Sequence, residues 1–209
     1  MYTENTQATF AILRDTSQLS WSVIPFISIV VLVFFWQADQ KNWSRILAAL
    51  AFLFTDLFNE LWNGLVCHWS EFAPVWGIKP ETNYQILIGW NIEILCGFML
   101  VGIASTMAMP ADKSVKYFGI NNRLWFIGIN SALSVAFEIA LNKAGLIHWA
   151  WPWWNAENPW LIFLVGYVPF FTMAYLVYDA PIKRAVKILA GIITVDIIFA
   201  LILASKGWI

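Results

Sequence analysis

Charged residues are scarce in this chain, with 12 Lys and Arg and 13 Asp and Glu among 209 residues. The net charge of −1 excludes the large basic surface by which many proteins hold nucleic acid. Cysteine is scarcer still, and the spacing of Cys67 and Cys96 matches neither a metal site nor a redox motif. The only histidines, His68 and His148, lack HxxxH or ExxH spacing. We therefore predict no metal and no other cofactor.

The first 18 residues lack the features of a signal peptide. They contain no basic start, no short apolar core and no small-residue cleavage site. We expect residues 1–18 to form a short exposed tail.

Apolar residues, by contrast, make up 60% of the sequence. They form blocks of roughly 20 residues, the length of a helix that crosses a ~30 Å hydrocarbon core. Helices are expected because an open sheet cannot satisfy its backbone groups in lipid. The sequence predicts an all-α polytopic membrane protein, with a single bundle of six transmembrane helices in residues 19–209. The approximate spans are 19–37, 44–66, 82–106, 121–146, 159–178 and 184–205.

Basic residues are concentrated in alternate connections between these spans. Lys and Arg are enriched in cytoplasmic loops, so these connections are expected to face the cytoplasm. Both termini then lie on the non-cytoplasmic side of a plasma or inner membrane. The residues concerned are Lys41, Arg45, Lys113, Lys116, Arg123, Lys183, Arg184 and Lys187.

Tryptophan is frequent, with 14 residues that lie mostly near the predicted outer ends of the spans. The densest group is WAWPWWN, residues 149–155. Tryptophan rings commonly anchor helices at the membrane interface. A vestibule or substrate chamber lined by Trp is the alternative, and the sequence leaves both interpretations open.

Acidic residues occur at hydrocarbon depth in four of the six predicted spans. Asp56 and Glu60 lie four residues apart on one helix face, and other spans contribute Glu93, Glu138 and Asp196. With a rise of ~1.5 Å per residue, the five acids fall in two layers, roughly 18–20 Å and 24–26 Å from the cytoplasmic helix ends. This common depth predicts that they meet inside the bundle.

Small and polar neighbours support that expectation. Glu93 lies between Gly89 and Gly97, where small residues would let helices approach closely. On the fourth span, Glu138 and Asn142 share a face that also contains Ser and Gly. We expect these faces to point toward the bundle centre.

A carboxyl group at this depth must pair with a cation or take up a proton. No Lys or Arg is predicted at the same depth, so the acids are expected to hold or share protons and to form an acid–base site. The alternative is that they only supply hydrogen bonds between helices. The candidate catalytic residues are Asp56, Glu60, Glu93, Glu138 and Asp196. The candidate substrate-binding residues are Asn59, Asn63, Trp62, Trp90, Asn142, Trp149, Trp153, Tyr167, His68 and His148.

A faint internal repeat links the second and fourth spans. FNELWNGLVCHW, residues 58–69, and FEIALNKAGLIHW, residues 137–149, each contain an acid, Asn, Gly-Leu and His-Trp in that order. Both copies would bring a His-Trp pair to the outer rim. Chance similarity between Trp-rich helices is the alternative to a repeat. The histidines are candidate proton relays or polar substrate contacts, and interfacial histidines without a role are the alternative.

These features favour an intramembrane enzyme acting on an apolar lipid, with an isoprenoid as the expected substrate. A carboxylic acid would start cyclisation, isomerisation or hydration by protonating it, and aromatic faces would stabilise the carbocation. Two alternatives are a proton-coupled transporter and a non-enzymatic subunit that binds a lipid, pigment or quinone. The sequence leaves the oligomeric state open.

Two acidic segments also carry a family resemblance. With Glu60 in NELW and Asp196 in ITVDIIF, this Trp-rich chain resembles the integral-membrane terpene cyclases of meroterpenoid pathways. The resemblance implies metal-independent protonation of an isoprenoid by acids at these two positions. The chain departs from that family in its six predicted spans, where the family has seven, and in placing Trp after the acid.

Overall fold

The computed structural model describes residues 1–78 and 84–209, which are mostly helical. A 3₁₀ turn covers Thr16–Gln18, and a π-helix, Ile162–Tyr167, leads directly into the sixth α-helix. The α-helices are α1 Glu4–Ile12, α2 Val23–Asp39, α3 Trp43–Ser70, α4 Ile92–Met107, α5 Asn122–Lys143, α6 Val168–Asp179 and α7 Ile182–Ala204.

Short strands occur in the connections between the helices. They pair antiparallel as β1 with β6, β2 with β3 and β4 with β5. Their bounds are β1 Gly77–Ile78, β2 Gln85–Leu87, β3 Trp90–Asn91, β4 Lys116–Tyr117, β5 Ile120–Asn121 and β6 Ile147–His148.

In the described part of the chain, four helical segments are long and apolar enough to cross a membrane: α3, α5, α7 and Ile162–Asp179. The remaining apolar helices, α2 and α4, are shorter, with 17 and 16 residues. The protein is therefore a mostly helical integral membrane protein, which confirms that part of the prediction.

The helix of the third predicted span, α4, begins later than the sequence predicted. It starts at Ile92 rather than near residue 82, because the Asn91 side chain caps it by accepting a hydrogen bond from the Ile94 N–H at 2.8 Å. Residues 85–91 form the β2–β3 hairpin instead, and residues 82 and 83 lie outside the described residues. An apolar hairpin has the same hydropathy as an apolar helix, so composition did not separate them.

Helix α3 is the centre of the bundle and packs against α4, α6 and α7. Small side chains at Ala48 and Ala49 line its buried face. Phe52 is fully buried there, with its ring centroid 4.9 Å from that of Phe171 and 5.7 Å from that of Phe98. This packing holds the polar stripe of α3 inside the protein.

Gly102 sets how closely α4 approaches α3. A Cβ atom at position 102 would lie 2.6 Å from the Ala49 Cα and 3.2 Å from the Phe52 Cβ. We expect Gly102→Ala to push the helices apart and lower the free energy of unfolding in detergent by about 1–3 kcal/mol. Gly97→Ala on the same helix is the control, since nothing lies within 4 Å of its Cβ position. Equal losses of thermal stability in the two variants would contradict this account.

One end of the bundle, called the aromatic end, contains both termini and residues 71–78, 84–91 and 144–161. The β1–β6 pair joins the connections that follow α3 and α5. The predicted exposed tail contains α1, and its Thr6 and Thr9 are fully buried. The Thr9 hydroxyl donates to the Ile78 carbonyl at 3.0 Å, so α1 packs against the β1 connection.

The opposite end, called the basic end, is formed by residues 40–42, 108–121 and 180–181. Arg123 donates two hydrogen bonds, at 2.9 and 2.7 Å, to the Asp179 carboxylate. Lys113 Nζ lies 3.4 Å from the same carboxylate. These contacts tie the start of α5 to the end of α6.

Candidate functional site

Three of the five predicted acids each accept a hydrogen bond from a tryptophan indole N–H. No Lys or Arg in the described residues forms an ion pair with any of them. The indole N–H groups therefore occupy the place that a cation would take in a buried ion pair. The pairs are Trp90 Nε1 to Asp56 Oδ2 at 2.7 Å, Trp76 Nε1 to Glu60 Oε2 at 3.0 Å, and Trp149 Nε1 to Glu138 Oε1 at 3.2 Å.

Glu60 accepts three hydrogen bonds, although it is only 2% exposed. Its Oε1 accepts from the Gly89 N–H at 2.6 Å, and its Oε2 accepts from Trp76 at 3.0 Å and from the Asn63 amide at 3.4 Å. Glycine is needed at position 89, because a Cβ there would lie 2.6 Å from the Glu60 Oε2. These bonds occupy three of the roughly four acceptor positions of the carboxylate, and the position left for a proton is on Oε1.

Asn63 holds the loop that brings Trp76 to Glu60. Its Oδ1 accepts from the N–H groups of Val75, at 2.7 Å, and Trp76, at 3.3 Å. Its amide donates to the Trp76 carbonyl at 2.8 Å. Asn63, a predicted substrate contact, thus bonds to the backbone of this loop, and it acts on Glu60 both directly and by positioning Trp76.

Asp56 is a neighbour of Glu60 and Glu138, the other two acids that accept from an indole. It is close enough to Glu60 and Glu138 for their charges to interact. One turn away on α3, the Asn59 amide donates to the Val165 carbonyl at 2.9 Å. Val165 belongs to the π-helix, a geometry that often marks functional regions. Asn59 is therefore a contact between α3 and the π-helix.

Glu138 is surrounded by aromatic side chains. Tyr167 and Trp154, both buried, lie beside its carboxyl group. Trp154 also stacks on Trp76, with ring centroids 5.5 Å apart and an interplanar angle of 29°. The aromatic surroundings of Glu138 are therefore continuous with those of Glu60.

A cavity of about 320 Å³ at the aromatic end reaches Glu60, and we call it the outer cavity. Glu60, Gly64 and His68, spaced four residues apart on α3, form one wall. No side chain at position 64 fills the space, and the nearest heavy atom to a Cβ there is the Trp208 carbonyl oxygen at 3.9 Å. The remaining lining residues are Phe10, Leu13, Arg14, Leu87, Ile88, Gly207, Trp208 and Ile209.

His68 lies between two aromatic rings from opposite ends of the sequence. Its ring centroid is 5.5 Å from Phe10 and 6.0 Å from Trp208, and both pairs are nearly parallel. Its Nδ1 lies 3.4 Å from the Tyr2 hydroxyl. The chain termini thus form part of the outer cavity and hold the His68 ring.

No indole hydrogen bond to Glu93 or Asp196 is seen among the described residues. Glu93 occupies the first turn of α4 beside Cys96, and so lies at a helix end rather than in mid-span. The expected close packing at Gly97 is absent, since no neighbour lies within 4 Å of its Cβ position. Asp196 is 2% exposed, and neither carboxyl oxygen has a hydrogen-bond partner among the described residues.

Two tryptophans that were predicted to bind substrate, Trp62 and Trp153, lie among the aromatic residues around the acids, and neither donates a hydrogen bond to an acid within the described residues. The Trp62 ring centroid is 6.2 Å from that of Trp76. The Trp153 ring meets Trp154 edge to face, with centroids 6.1 Å apart. Both therefore pack against rings that surround the carboxyl groups.

Asn142 and His148 are contacts within the aromatic end. The Asn142 amide donates to the Ile147 carbonyl at 3.2 Å, just beyond the end of α5. His148 is buried in β6, where its ring occupies the space that a Cβ at Gly77 would need. His68, by contrast, lies on a helix, so the two copies of the proposed repeat place their histidines in different structures.

Within residues 1–78 and 84–209, no group of three or more His, Cys, Asp or Glu side chains could hold a metal ion. Sequence reasoning missed the two donors to Glu60 that follow α3, Trp76 and Gly89. No local sequence pattern indicates either donor, because Trp76 and Gly89 lie 16 and 29 residues along the chain from Glu60.

Comparison with known proteins identifies the family. A model for an uncharacterized membrane protein family matches residues 3–205. The chain belongs to this family. An uncharacterized protein from Archaeoglobus fulgidus is 42% identical to it over 211 residues, and the match covers 100% of both chains. No solved structure matches the chain.

The resemblance to integral-membrane terpene cyclases is wrong. The match to a different family covers residues 3–205, and nothing in the comparisons points to cyclases. The two positions that carried the resemblance also have different environments. Glu60 accepts three hydrogen bonds, whereas the Asp196 oxygens have no partner in the described part of the chain.

Proposed function

We propose that this protein is an intramembrane acid–base enzyme that transfers protons to and from an apolar lipid in the outer cavity. One observation carries the proposal: the same cavity is lined by Glu60, by His68 and by mostly apolar side chains. Acid–base catalysis needs proton-transferring groups within reach of the substrate. An apolar lining selects a substrate that reaches the cavity from the bilayer.

An isoprenoid is the substrate class that fits this chemistry. Protonating one alkene carbon leaves a carbocation on the other alkene carbon. Removing a proton from the next carbon along the chain then forms a double bond one position further on, with no change in composition or oxidation state. Glu60 and His68 supply the two proton-transferring groups, and the aromatic rings of Phe10 and Trp208 line the same cavity. Aromatic faces stabilise positive charge that develops on a substrate.

The cavity volume limits what can bind. At about 320 Å³ it lies near the lower end of the ~300–1,000 Å³ range of ligand pockets. It is suited to a segment of a lipid chain, with the rest of the lipid remaining in the bilayer. Arg14 supplies a cation in the lining and could face a polar head group.

Deuterium incorporation tests this proposal. The purified protein would be incubated in D₂O with the lipid that co-purifies with it. It would then be returned to H₂O, which removes deuterium from oxygen and nitrogen, and the lipid would be analysed by mass spectrometry. We expect deuterium bound to carbon, accumulating with time. Bound lipid that acquires no deuterium would contradict the proposed enzymatic function.

Lipid binding without chemistry is the second candidate. It is favoured by the three donors that already occupy the Glu60 oxygens, because they hold the carboxyl group in place. Stoichiometric lipid without exchange would support this candidate. Uptake into proteoliposomes driven by a pH gradient would instead support a proton-coupled carrier.

We also propose that six helices cross the membrane and that both termini are non-cytoplasmic. At ~1.5 Å per residue, α2 and α4 span roughly 24–26 Å, so their ends need local thinning of a ~30 Å core. The positive-inside rule places the basic end in the cytoplasm.

Sided cysteine labelling tests this orientation. Ser17 and Ser114 are exposed at opposite ends, while Cys67 and Cys96 are buried and give little background. In intact cells, an impermeant maleimide is expected to label Ser17→Cys but to label Ser114→Cys only after permeabilisation. The reverse pattern would show the opposite orientation.

A further inference from the structure

A second cavity, of about 490 Å³, lies at the basic end, and we call it the basic cavity. It is formed where the α2–α3, α4–α5 and α6–α7 connections meet, at the opposite end of the bundle from the outer cavity. Its described lining includes four cations and one acid. These are Lys41, Arg45, Lys113, Arg123 and Asp179.

The single acid is already engaged by two of the cations. Arg123 contacts the Asp179 carboxylate through two hydrogen bonds, and Lys113 lies 3.4 Å from it. Lys41 and Arg45 form no salt bridge among the described residues. Within the described part of the chain, the Arg45 side chain donates one long hydrogen bond, 3.5 Å to Gln37. The described lining therefore carries four positive charges against one negative charge, and neither Lys41 nor Arg45 is in a salt bridge with a described acid.

The start of α3 adds to this positive field. Trp43 and Ser44, in its first turn, line the cavity. The preceding Asn42 makes no side-chain cap, so its side-chain oxygen does not occupy the first N–H groups of the helix; its amide donates to Gln37 at 3.0 Å. The first N–H groups of a helix carry partial positive charge and favour an anion.

The cavity is also bordered by exposed apolar side chains. Trp43 is 51% exposed and Ile182 is 45% exposed, and both belong to its lining. Tryptophan at a helix end is typical of the level of lipid head groups. A ligand with a phosphate on apolar chains matches both the cations and this border.

We propose that the basic cavity binds the phosphate of an anionic phospholipid. Arg45 and Lys41 contact the phosphate oxygens, and the Arg123–Asp179 pair forms the opposite wall. The acyl chains extend past Trp43 and Ile182 into the bilayer. Basic pockets between membrane helices commonly hold such head groups. This site is separate from the proposed proton-transfer site and does not depend on it.

Thermal unfolding of the full chain in a neutral detergent tests the site. Phosphatidylglycerol is added in one series, phosphatidylcholine in a second and inorganic phosphate in a third. We expect phosphatidylglycerol to raise Tm in a saturable way and phosphatidylcholine to have a much smaller effect. An equal effect of the two lipids would overturn the proposal. An equal effect of inorganic phosphate would overturn the lipid assignment and identify a soluble phosphate compound as the ligand.

The variant Lys41→Gln with Arg45→Gln identifies the residues involved. We expect it to weaken the apparent Kd for phosphatidylglycerol about tenfold or more. Arg184→Gln with Lys187→Gln removes the same charges from α7, outside the described lining, and should leave the Kd unchanged. Equal weakening in both double variants would show a diffuse charge effect and overturn the proposal. If the double variant fails to fold, Lys41→Gln alone replaces it, because Lys41 is exposed. We expect this single variant to weaken the Kd by a smaller factor.

Discussion

Replacing Glu60 with glutamine is expected to reduce deuterium incorporation into the bound lipid by about 10²–10⁴-fold, the usual contribution of a general acid or base. Glutamine has nearly the same shape but cannot exchange a carboxyl proton. The lipid should remain bound, because the side chain still forms one wall of the outer cavity. Mass spectrometry of the same sample measures both lipid occupancy and exchange.

Glu60→Gln is also expected to lower stability moderately. Only one of its two terminal atoms remains an acceptor, and its amide group would face N–H donors from Gly89, Trp76 or Asn63. An unsatisfied buried donor costs about 1–3 kcal/mol. The exposed Glu157→Gln at the same end is the matched control for the loss of a carboxyl group. Undiminished deuterium incorporation in a folded Glu60→Gln variant would show that Glu60 does not transfer the proton.

Gly89→Ala is expected to separate Trp76 from Glu60. The added methyl group would occupy the space of the Trp76 indole and lie 2.6 Å from the Glu60 Oε2. Both neighbours are buried or half-buried, so relieving the contact must move the loop that Asn63 holds. Overpacking of this kind costs about 1–3 kcal/mol, and we expect a loss of that size in the free energy of unfolding. Exchange should fall with it, because the hydrogen bonds of Glu60 are disturbed.

Gly128→Ala is the matched control for this change. Nothing lies within 4 Å of its Cβ position on α5, and alanine in a helix is favoured over glycine by about 0.5–1 kcal/mol. The control should therefore be as stable as the wild type or slightly more stable. A Gly89→Ala variant with unchanged stability and exchange would show that the close approach of Gly89 to Glu60 is not required.

The helical frame was predictable because hydropathy follows the long apolar helices closely. The predicted span 184–205 corresponds to α7 Ile182–Ala204, and 44–66 lies within α3 Trp43–Ser70. The prediction failed where an apolar segment is not helical. The β2–β3 hairpin contains Ile86 and Leu87, and it looks like the start of a span although it folds back over Glu60.

Only some of the residues that form the candidate site could be predicted from the sequence. Depth along a helix predicted that Asp56, Glu60 and Glu138 would be neighbours, and Asp56 lies within electrostatic range of the other two. Depth also grouped Asp196 with them, but it does not determine which partners a side chain meets across a helix interface. Asp196 has no hydrogen-bond partner among the described residues.

The role of tryptophan could not be read from its position at the helix ends. The sequence suggested either interface anchors or the wall of a chamber. The structure shows three indole N–H groups that bond to acids, two of them at separations of 16 and 34 residues. Such pairs depend on how loops fold back onto helices, which local sequence patterns do not encode.

Lipid occupancy tests most directly the claim on which the whole account depends, that the outer cavity holds an apolar lipid. Gly64→Leu would fill the space between Glu60 and His68, whereas Gly64→Ala adds one methyl group in ordinary contact with the Trp208 carbonyl oxygen. We predict that one apolar lipid co-purifies with the wild type and with Gly64→Ala at near-stoichiometric amounts by mass spectrometry. We predict that Gly64→Leu, folded by its thermal unfolding curve, loses that lipid. The same lipid at the same occupancy in Gly64→Leu would contradict the account.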